Sequence, residues 1–282
     1  SAVGLFANRN HAALLLAMLL PMLATYVATA RVTPEQFNVR RWMAFAAAIV
    51  ILPLLLVTGS RGGLVFGLMG LAAIALLYRR PEATRAARRG DAKQRYAAAP
   101  MLGVTAVLLV TLATVIYARA ESVERLFEPS AEEGSRADYW QVATDMAWTY
   151  FPFGSGAGSF AETYQIVEPS RLLNFTFLNH AHNDWLEVFV THGLPALLLM
   201  GVVAFAFLRR CLKLWRRAEN PSRALDFGRL ASVLLLMLAL GSLPDYPLRT
   251  SIMMCLAAVC GLWLMDEGAA RKAGQPGPAQ GA

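Results

Sequence analysis

Residues 186–208, LEVFVTHGLPALLLMGVVAFAFL, form an apolar run that is followed at once by Arg209 and Arg210. About 20 mostly apolar residues are enough for a helix to cross the hydrocarbon core of a bilayer. The apolar residues are continuous and do not alternate with polar ones, so the run predicts a helix and not a strand of a barrel. The rest of the sequence therefore has to be interpreted as that of a membrane protein.

The composition of the whole chain agrees with this interpretation. Of its 282 residues, 56% are hydrophobic and 16% are charged, whereas a soluble domain usually carries about 25% charged residues. The composition therefore argues against a soluble globular enzyme and against a disordered chain. Further apolar stretches bring the number of predicted membrane helices to about seven. These stretches are residues 12–30, 42–58, 62–78, 101–117, 230–243 and 251–265.

Most of the 26 basic residues lie in every second connection between the predicted helices. Because Lys and Arg are concentrated in cytoplasmic loops, these connections are assigned to the cytoplasm. Topology then explains the net charge of +7, and no nucleic-acid partner is needed. The remaining basic residues fall on the opposite, outer face, where positive charge is not explained by topology. They are Arg9, Arg61, Arg119, Arg125, Arg136, Arg171 and Arg249.

The predicted spans divide the chain into four parts. Residues 1–117 hold the first four membrane helices with their basic loops, and residues 186–265 hold the last three. Residues 118–185 are too polar to span a membrane and predict a small folded cap on the outer face. Residues 266–282 predict a disordered cytoplasmic tail. The predicted fold class is all-α, a polytopic bundle of transmembrane helices with a small helical cap.

The cap contains one clear helical pattern. Ser130 and Glu133 have the spacing of a capping box, and residues 136–150 predict an amphipathic helix that Pro152 ends. The glycine-rich stretch 154–158 that follows is interpreted either as a simple turn or as a close approach of the backbone to a ligand. The expected apolar side of the helix consists of Tyr139, Ala143, Met146, Ala147 and Tyr150.

A polar cluster directly precedes the fifth predicted span. His180 and His182 could bind a metal, but no third ligand accompanies them, so no metal is predicted. Asn183 or Asp184 is expected to cap the following helix. A helix N-terminus beside an imidazole also suits an anionic substrate. His192 lies further along this span and is expected to be packed or hydrogen-bonded.

Two arginines occur in tight connections on the outer face. Arg61 lies between two apolar helices, so its guanidinium has to reach toward the surface or meet an anion there. Arg249 follows Asp245 in the last connection, and the two could simply pair with each other. The alternative is that Arg61, Arg136 and Arg249 converge on a phosphate-rich ligand, since a guanidinium can bond two phosphate oxygens.

Five motifs follow one another on the predicted outer face. The most specific is His182-Asn183, followed after nine residues by Gly193, although Ala196 stands where a second glycine is expected. The others are residues 4–10 (GLFANRN), 58–62 (TGSRG), Ser135-Arg136 with Trp140 and 152–160 (PFGSGAGSF), and 244–249 (PDYPLR). With these motifs, the chain resembles the O-antigen ligase / O-antigen polymerase superfamily of bacterial inner-membrane glycosyltransferases over about residues 4–250.

This resemblance implies a GT-C-like, metal-independent and cofactor-free glycosyltransferase whose site faces the periplasm. The donor would be a glycan on undecaprenyl pyrophosphate, and the acceptor a hydroxyl of lipid A-core, another glycan or a protein. The spacing after His182 favours a ligase over an O-antigen or exopolysaccharide polymerase or a protein O-oligosaccharyltransferase. Family members typically have ten or more membrane helices, which implies that an N-terminal part precedes this chain.

The resemblance and the chemistry of the residues together suggest site roles. Arginines can stabilise the charge that develops on a pyrophosphate leaving group without a metal, and a histidine can take the proton of the attacking hydroxyl. Arg61 and Arg136 are predicted to bind the pyrophosphate, with Arg249 as a further candidate for this role. His182 is the predicted base, and His180 is the alternative candidate. Asn183 and Asp245 are predicted to be supporting residues.

Two other classes of function compete with this interpretation. A transporter for lipid-linked sugars would also place arginines near phosphates, but it predicts charges at the bilayer midplane and internal repeats. Neither is evident in the sequence, where the charges lie at the outer rim. The third class is a structural or assembly subunit without chemistry of its own.

Overall fold

The structure is a computed structural model that describes residues 5–28, 33–78, 131–173, 178–216 and 223–266, together with positions 109 and 113. Within those ranges the chain forms α-helices and short 3-10 helices and no strand, which confirms the predicted all-α class. The helices are α1 (Arg9–Ala28), α2 (Pro34–Val57), α3 (Arg61–Leu77), α4 (Ala131–Thr149), α5 (Phe160–Val167), α6 (Asp184–Arg216), α7 (Arg223–Gly241) and α8 (Ser251–Met265).

Four of these helices are long and apolar enough to cross a bilayer: α1, α2 over Glu35–Val57, α6 and α7. The shorter apolar helices α3 and α8 coincide with two more of the predicted spans. The protein is therefore a multi-pass membrane protein. The predicted span 230–243 begins earlier than expected, at Arg223, and so has 19 residues. The predicted span 101–117 and the tail 266–282 lie outside the described residues, apart from positions 109, 113 and 266.

Helix α1 packs against α2, α3 and α7, and its contact with α3 is especially close. Gly70 of α3 lies against the backbone carbonyl of Ala17, and Gly63 lies against the side chain of Ala13, so neither glycine has room for a Cβ atom. Small residues at such interfaces let two helix backbones approach each other. The close packing holds the first residue of α3, Arg61, beside the N-terminal turn of α1.

Helix α6 contains the span predicted over 186–208 and is bent within it. It begins at Asp184, bends at Gly193 and continues to Arg216. Gly193 has φ +59° and ψ −144°, a conformation that side chains disfavour. Two residues later, Pro195 has no N–H group with which to continue the helical hydrogen bonding. The bend therefore divides the apolar run 186–208 into two helical segments.

The glycine-rich turn after α4 satisfies the backbone groups that this bend leaves free. The carbonyl of Thr191 would normally accept from residue 195, but it accepts the N–H of Gly156 at 2.9 Å. The carbonyl of Val190 accepts the N–H of Ser155 at 2.9 Å. The N–H of Leu194 in turn donates to Pro152 at 2.7 Å. Because a buried, unpaired backbone group is costly, the turn and the bend stabilise each other.

The predicted cap helix is present as α4, although it starts at Ala131 and not at residue 136. The proposed capping residue Ser130 lies outside the described residues. Three residues of its expected apolar side are buried, and Tyr139 and Tyr150 pack at the edge of the same cluster. This cluster joins α4 to α5 and to the first part of α6 through Ala143, Met146, Ala147, Phe160, Tyr164 and Val190.

Candidate active site

A cavity of about 140 Å³ lies where the N-terminus of α1, the α2–α3 turn, the start of α4 and the α7–α8 turn meet. These elements are far apart in the chain but come together at one end of the helix bundle. Polar and apolar side chains both line the cavity, and three arginines contribute to its wall. The charged and polar side chains that line it include Arg9, Asn10, His11, Arg61, Arg136 and Asp245.

The α2–α3 turn holds Arg61 at this cavity through a conventional helix cap. Ser60 is the N-cap of α3, and its hydroxyl oxygen accepts the N–H of Gly63 at 2.9 Å. The same hydroxyl donates to the Asn10 side chain at 2.8 Å, which ties the turn to α1. Gly59 has φ +61°, which permits the tight reversal before the cap. Arg61 is thereby fixed at a helix N-terminus, where both its charge and the helix dipole favour an anion.

Asp245 is the buried centre of the site. Its Oδ2 atom accepts the side-chain amides of Asn8 at 2.9 Å and Asn10 at 2.7 Å. Its Oδ1 atom accepts the backbone N–H of Tyr246 at 3.0 Å. The Nη2 atom of Arg136 lies 4.0 Å from Oδ2. One carboxylate therefore connects the first helix, the cap and the last hairpin.

Two imidazoles, those of His182 and His11, face the Oδ1 atom of Asp245. The Nδ1 atom of His182 lies 3.4 Å from Oδ1 of Asp245, and the Nε2 atom of His11 lies 3.5 Å from it. The Tyr246 ring packs against both imidazoles, with centroid distances of 4.9 Å and 5.0 Å. Burial alone would raise the pKa of Asp245, but His11, His182 and Asn10 hold that pKa well below its ordinary value. Asp245 is therefore an anion near neutral pH.

The turn that carries His182 is held from both sides. His182 has φ +50°, an unusual conformation for a residue other than glycine. The carbonyl of Ala181 accepts the indole N–H of Trp140 at 2.9 Å, and the N–H of Ala181 donates to Glu187 at 2.9 Å. Asn183 caps α6, as predicted, since its side-chain oxygen accepts the N–H of Leu186 at 3.0 Å. Strained backbone of this kind persists where neighbouring contacts determine it, as they do here.

Arg249 lies outside the cavity lining, and the pair with Asp245, one of the two alternatives that the sequence left open, is not formed. Its Nε atom lies 3.3 Å from Oδ1 of Asp184, and its Nη2 atom lies 3.2 Å from Oε1 of Glu187. Asp245 is already surrounded by donors from α1 and the cap, whereas the carboxylates of α6 face the 3-10 turn that carries Arg249. His180 also faces Glu187, with its Nδ1 atom 3.1 Å from Oε1.

Of the predicted site residues, the structure brings Arg61, Arg136 and Asp245 to one cavity and places His182 against Asp245. His180, Asn183 and Arg249 lie behind His182, where they support its turn. His180 and His182 face different carboxylates, and the described residues contain no group of three side chains suited to a metal. The glycine-rich stretch contacts α6 of the chain itself, which favours the interpretation as a turn.

Two residues of the site were not found from the sequence: His11 and Glu187. Each is an ionisable side chain at the beginning of an apolar run that otherwise predicts a membrane helix. Such residues are costly in a membrane and usually mark a functional site. Asn8 and Asn10 belonged to a recognised motif, but their common partner Asp245 could not be known from sequence spacing.

The described part of the chain contains six apolar helices, as a multi-pass membrane protein does. Arginines, histidines and carboxylates are gathered in a site at one end of the bundle. The chain belongs to the O-antigen ligase family, since the family model described as O-Antigen ligase matches residues 45–201, more than half of its length. That match includes Arg61, Arg136 and His182. No curated protein and no solved structure gave a match.

Proposed function

We propose that the protein is an inner-membrane glycosyltransferase that transfers a glycan from undecaprenyl pyrophosphate to a hydroxyl of lipid A-core, without a metal. The observation that carries this proposal is the common cavity of Arg61 and Arg136, with His182 placed against its buried wall residue Asp245. Membership of the O-antigen ligase family supports lipid-linked glycans as the general substrate class. The site would face the periplasm, opposite to the basic loops.

The arginines would act on the leaving group. The bond between the anomeric carbon and the pyrophosphate oxygen breaks, and that oxygen keeps the electron pair. Arg61 and Arg136 offer planar donor groups that remain charged and can each bond two phosphate oxygens. Preorganised charges of this kind stabilise the negative charge where it develops, so a bound metal is not required for this step.

His182 would act on the acceptor. Because its Nδ1 atom faces Asp245, its Nε2 atom is the nitrogen left to take a proton. The acceptor oxygen attacks the anomeric carbon while its proton passes to Nε2, and the resulting imidazolium is stabilised by the Asp245 carboxylate. A single displacement of this kind inverts the configuration at the anomeric carbon.

The test is transfer by the purified protein in detergent or vesicles that contain a chelator. A lipid-linked oligosaccharide is supplied as donor, and lipid A-core, a second lipid-linked glycan and a peptide are supplied separately as acceptors. The proposal expects a glycosylated lipid A-core with inverted anomeric configuration. Transfer only to the second glycan or to the peptide would instead indicate a polymerase or a protein glycosyltransferase. Donor movement across the vesicle membrane without transfer to any acceptor would overturn the enzyme proposal.

A further inference from the structure

His11 has a position that the proposed reaction does not yet use. It lies in the first turn of α1 and is 2% exposed, and its ring contacts Phe6 as well as Tyr246. Its Nε2 atom is buried and makes no hydrogen bond within the described residues, and the same is true of the Nδ1 atom of His182. Both atoms face Oδ1 of Asp245, at 3.5 Å and 3.4 Å.

The carboxylate of Asp245 has too few free positions for both imidazoles. A carboxylate offers about four lone-pair positions to donors. Asn8 and Asn10 use two positions on Oδ2, and the backbone N–H of Tyr246 uses one on Oδ1. One position is left for two imidazole N–H groups. The two nearly equal distances, both longer than a well-formed hydrogen bond, are what such a competition produces.

We infer that His11 is a positioning residue for the proposed transfer: it competes with His182 for the last acceptor position on Asp245 and so weakens the hold of that carboxylate on the base. The inference rests on the function proposed above. A histidine that only filled space in α1 would not need its Nε2 atom directed at a buried anion.

The competition predicts the direction in which loss of His11 shifts the pH dependence of transfer. Without the imidazole of His11, the one acceptor position on Oδ1 of Asp245 that the N–H of Tyr246 does not use is left to His182. The contact between a carboxylate and an imidazole is stronger when the imidazole is protonated, so the protonated form of His182 gains more than the neutral form. His182 then remains protonated, and inactive as a base, up to a higher pH. Asp245 and Tyr246 contact both histidines. Around them, Arg136 of α4 lies 4.0 Å from Asp245, and His180, which faces Glu187 of α6, packs on the Tyr246 ring. Arg9 and Arg61 line the same cavity as His11.

Two variants of His11 separate this effect from a loss of packing. In His11→Gln, the side-chain amide nitrogen lies near the position of the imidazole Nε2 atom and can still donate to Asp245. In His11→Asn, the amide is too short to reach it. Both replacements are neutral and polar, so they disturb the fold to a similar degree and differ mainly in reach. His192→Asn serves as a matched control, because His192 is exposed and its ring bonds to the neighbouring Thr191 at 2.7 Å.

The measurement is the pH dependence of kcat/KM for glycan transfer. The acidic limb of this profile gives the pH at which the base of the free enzyme loses its proton. We expect His11→Asn to move that limb to higher pH by about half a unit or more. His11→Gln and His192→Asn should keep the wild-type limb. An unchanged limb in His11→Asn, a shift to lower pH, or an equal shift in His11→Gln would overturn the inference. A wild-type protein that transfers no glycan would contradict the proposed function itself, which is a distinguishable result.

Discussion

The guanidinium of Arg249 bridges two carboxylates of α6, with its Nε atom 3.3 Å from Asp184 and its Nη2 atom 3.2 Å from Glu187. Asp184 also accepts the hydroxyl of Ser242 at 3.0 Å, and Glu187 also binds the turn that carries His182. Arg249 therefore joins the last hairpin of the bundle to the turn on which the proposed base lies. These contacts indicate that Arg249 has a structural role, which is to hold the two segments together.

This relationship predicts the effect of Arg249→Ala. Removing the guanidinium leaves two buried carboxylates without their cation, which should destabilise the protein by about 1–3 kcal/mol. The transfer rate kcat should fall because the His182 turn loosens, while the KM for the lipid-linked donor should change little. Thermal unfolding and donor titrations measure the two effects, with Arg171→Ala at an exposed position as control. A large rise in donor KM at unchanged stability would instead make Arg249 a phosphate ligand.

His182→Ala tests the base directly. Proton transfer by a positioned side chain typically contributes about 10²–10⁴-fold to a rate, and the loss should be of that size. Donor binding should persist, because the arginines of the cavity are unchanged. His192→Ala removes a histidine from the same helix region without touching the cavity, and it should transfer at the wild-type rate. Equal rates for the two variants would remove His182 from the chemistry.

Arg61→Lys and Arg136→Lys test whether the fork geometry of the guanidinium matters. Lysine keeps the charge but cannot bond two phosphate oxygens in a plane, so transfer should fall at least about tenfold in each variant. Arg61→Gln and Arg136→Gln remove the charge as well, and their further loss measures its contribution. Single-turnover transfer with a defined donor is the appropriate readout. Wild-type kinetics for Arg61→Lys would exclude Arg61 from the pyrophosphate site.

Gly154→Ala tests the contact between the glycine-rich turn and α6. Gly154 has φ +81°, and a Cβ atom there would overlap the backbone of Thr191 and His192. Gly158 has a similar φ of +78° but open space around it, so Gly158→Ala measures the backbone strain alone, about 1–2 kcal/mol. Overlap should make Gly154→Ala less stable than Gly158→Ala by a further 1–3 kcal/mol or so. The midpoint of thermal unfolding compares them, and equal midpoints would show that the turn moves away freely.

The proposed orientation is tested by cysteine labelling in intact cells. The native residues Cys211, Cys255 and Cys260 are first replaced by serine. An impermeant maleimide should then label Gly158→Cys from the periplasm, whereas Lys213→Cys should react only after the inner membrane is opened. Both positions are exposed, so accessibility of the side chain does not limit the reaction. The opposite labelling pattern would place the site in the cytoplasm.

Much of the helical architecture could be predicted, because continuous apolar runs and helix caps are local properties of the sequence. Asn183 at the start of α6 is an example, since its capping role depends on residues only three positions away. The position of the bend, at Gly193, could not be predicted, because it depends on hydrogen bonds from Ser155 and Gly156. A glycine and a proline are common in membrane helices and do not by themselves specify a break.

Prediction of the site was limited in the same way. Arg61 and Arg136 were found because positive charge is unexpected on the outer face, which is a property of topology. The partner of Arg249 was not found, because Asp245 is close in sequence while Asp184 and Glu187 are close only in space. His11 was overlooked because it follows a motif in which the asparagines were the recognisable residues.

Asp245 lies 237 positions after Asn8, whose side-chain amide donates a hydrogen bond to it. Because synthesis proceeds from the N-terminus, Asn8 and Asn10 are made long before the carboxylate to which they donate. A ribosome-bound chain that stops before the α7–α8 turn lacks the anion that His182 faces, and it also lacks Pro244 and Asp245, which Arg136 contacts. On the proposed function, a polypeptide without the α7–α8 turn therefore cannot consume lipid-linked donor, and activity requires that α7 and α8 have been inserted.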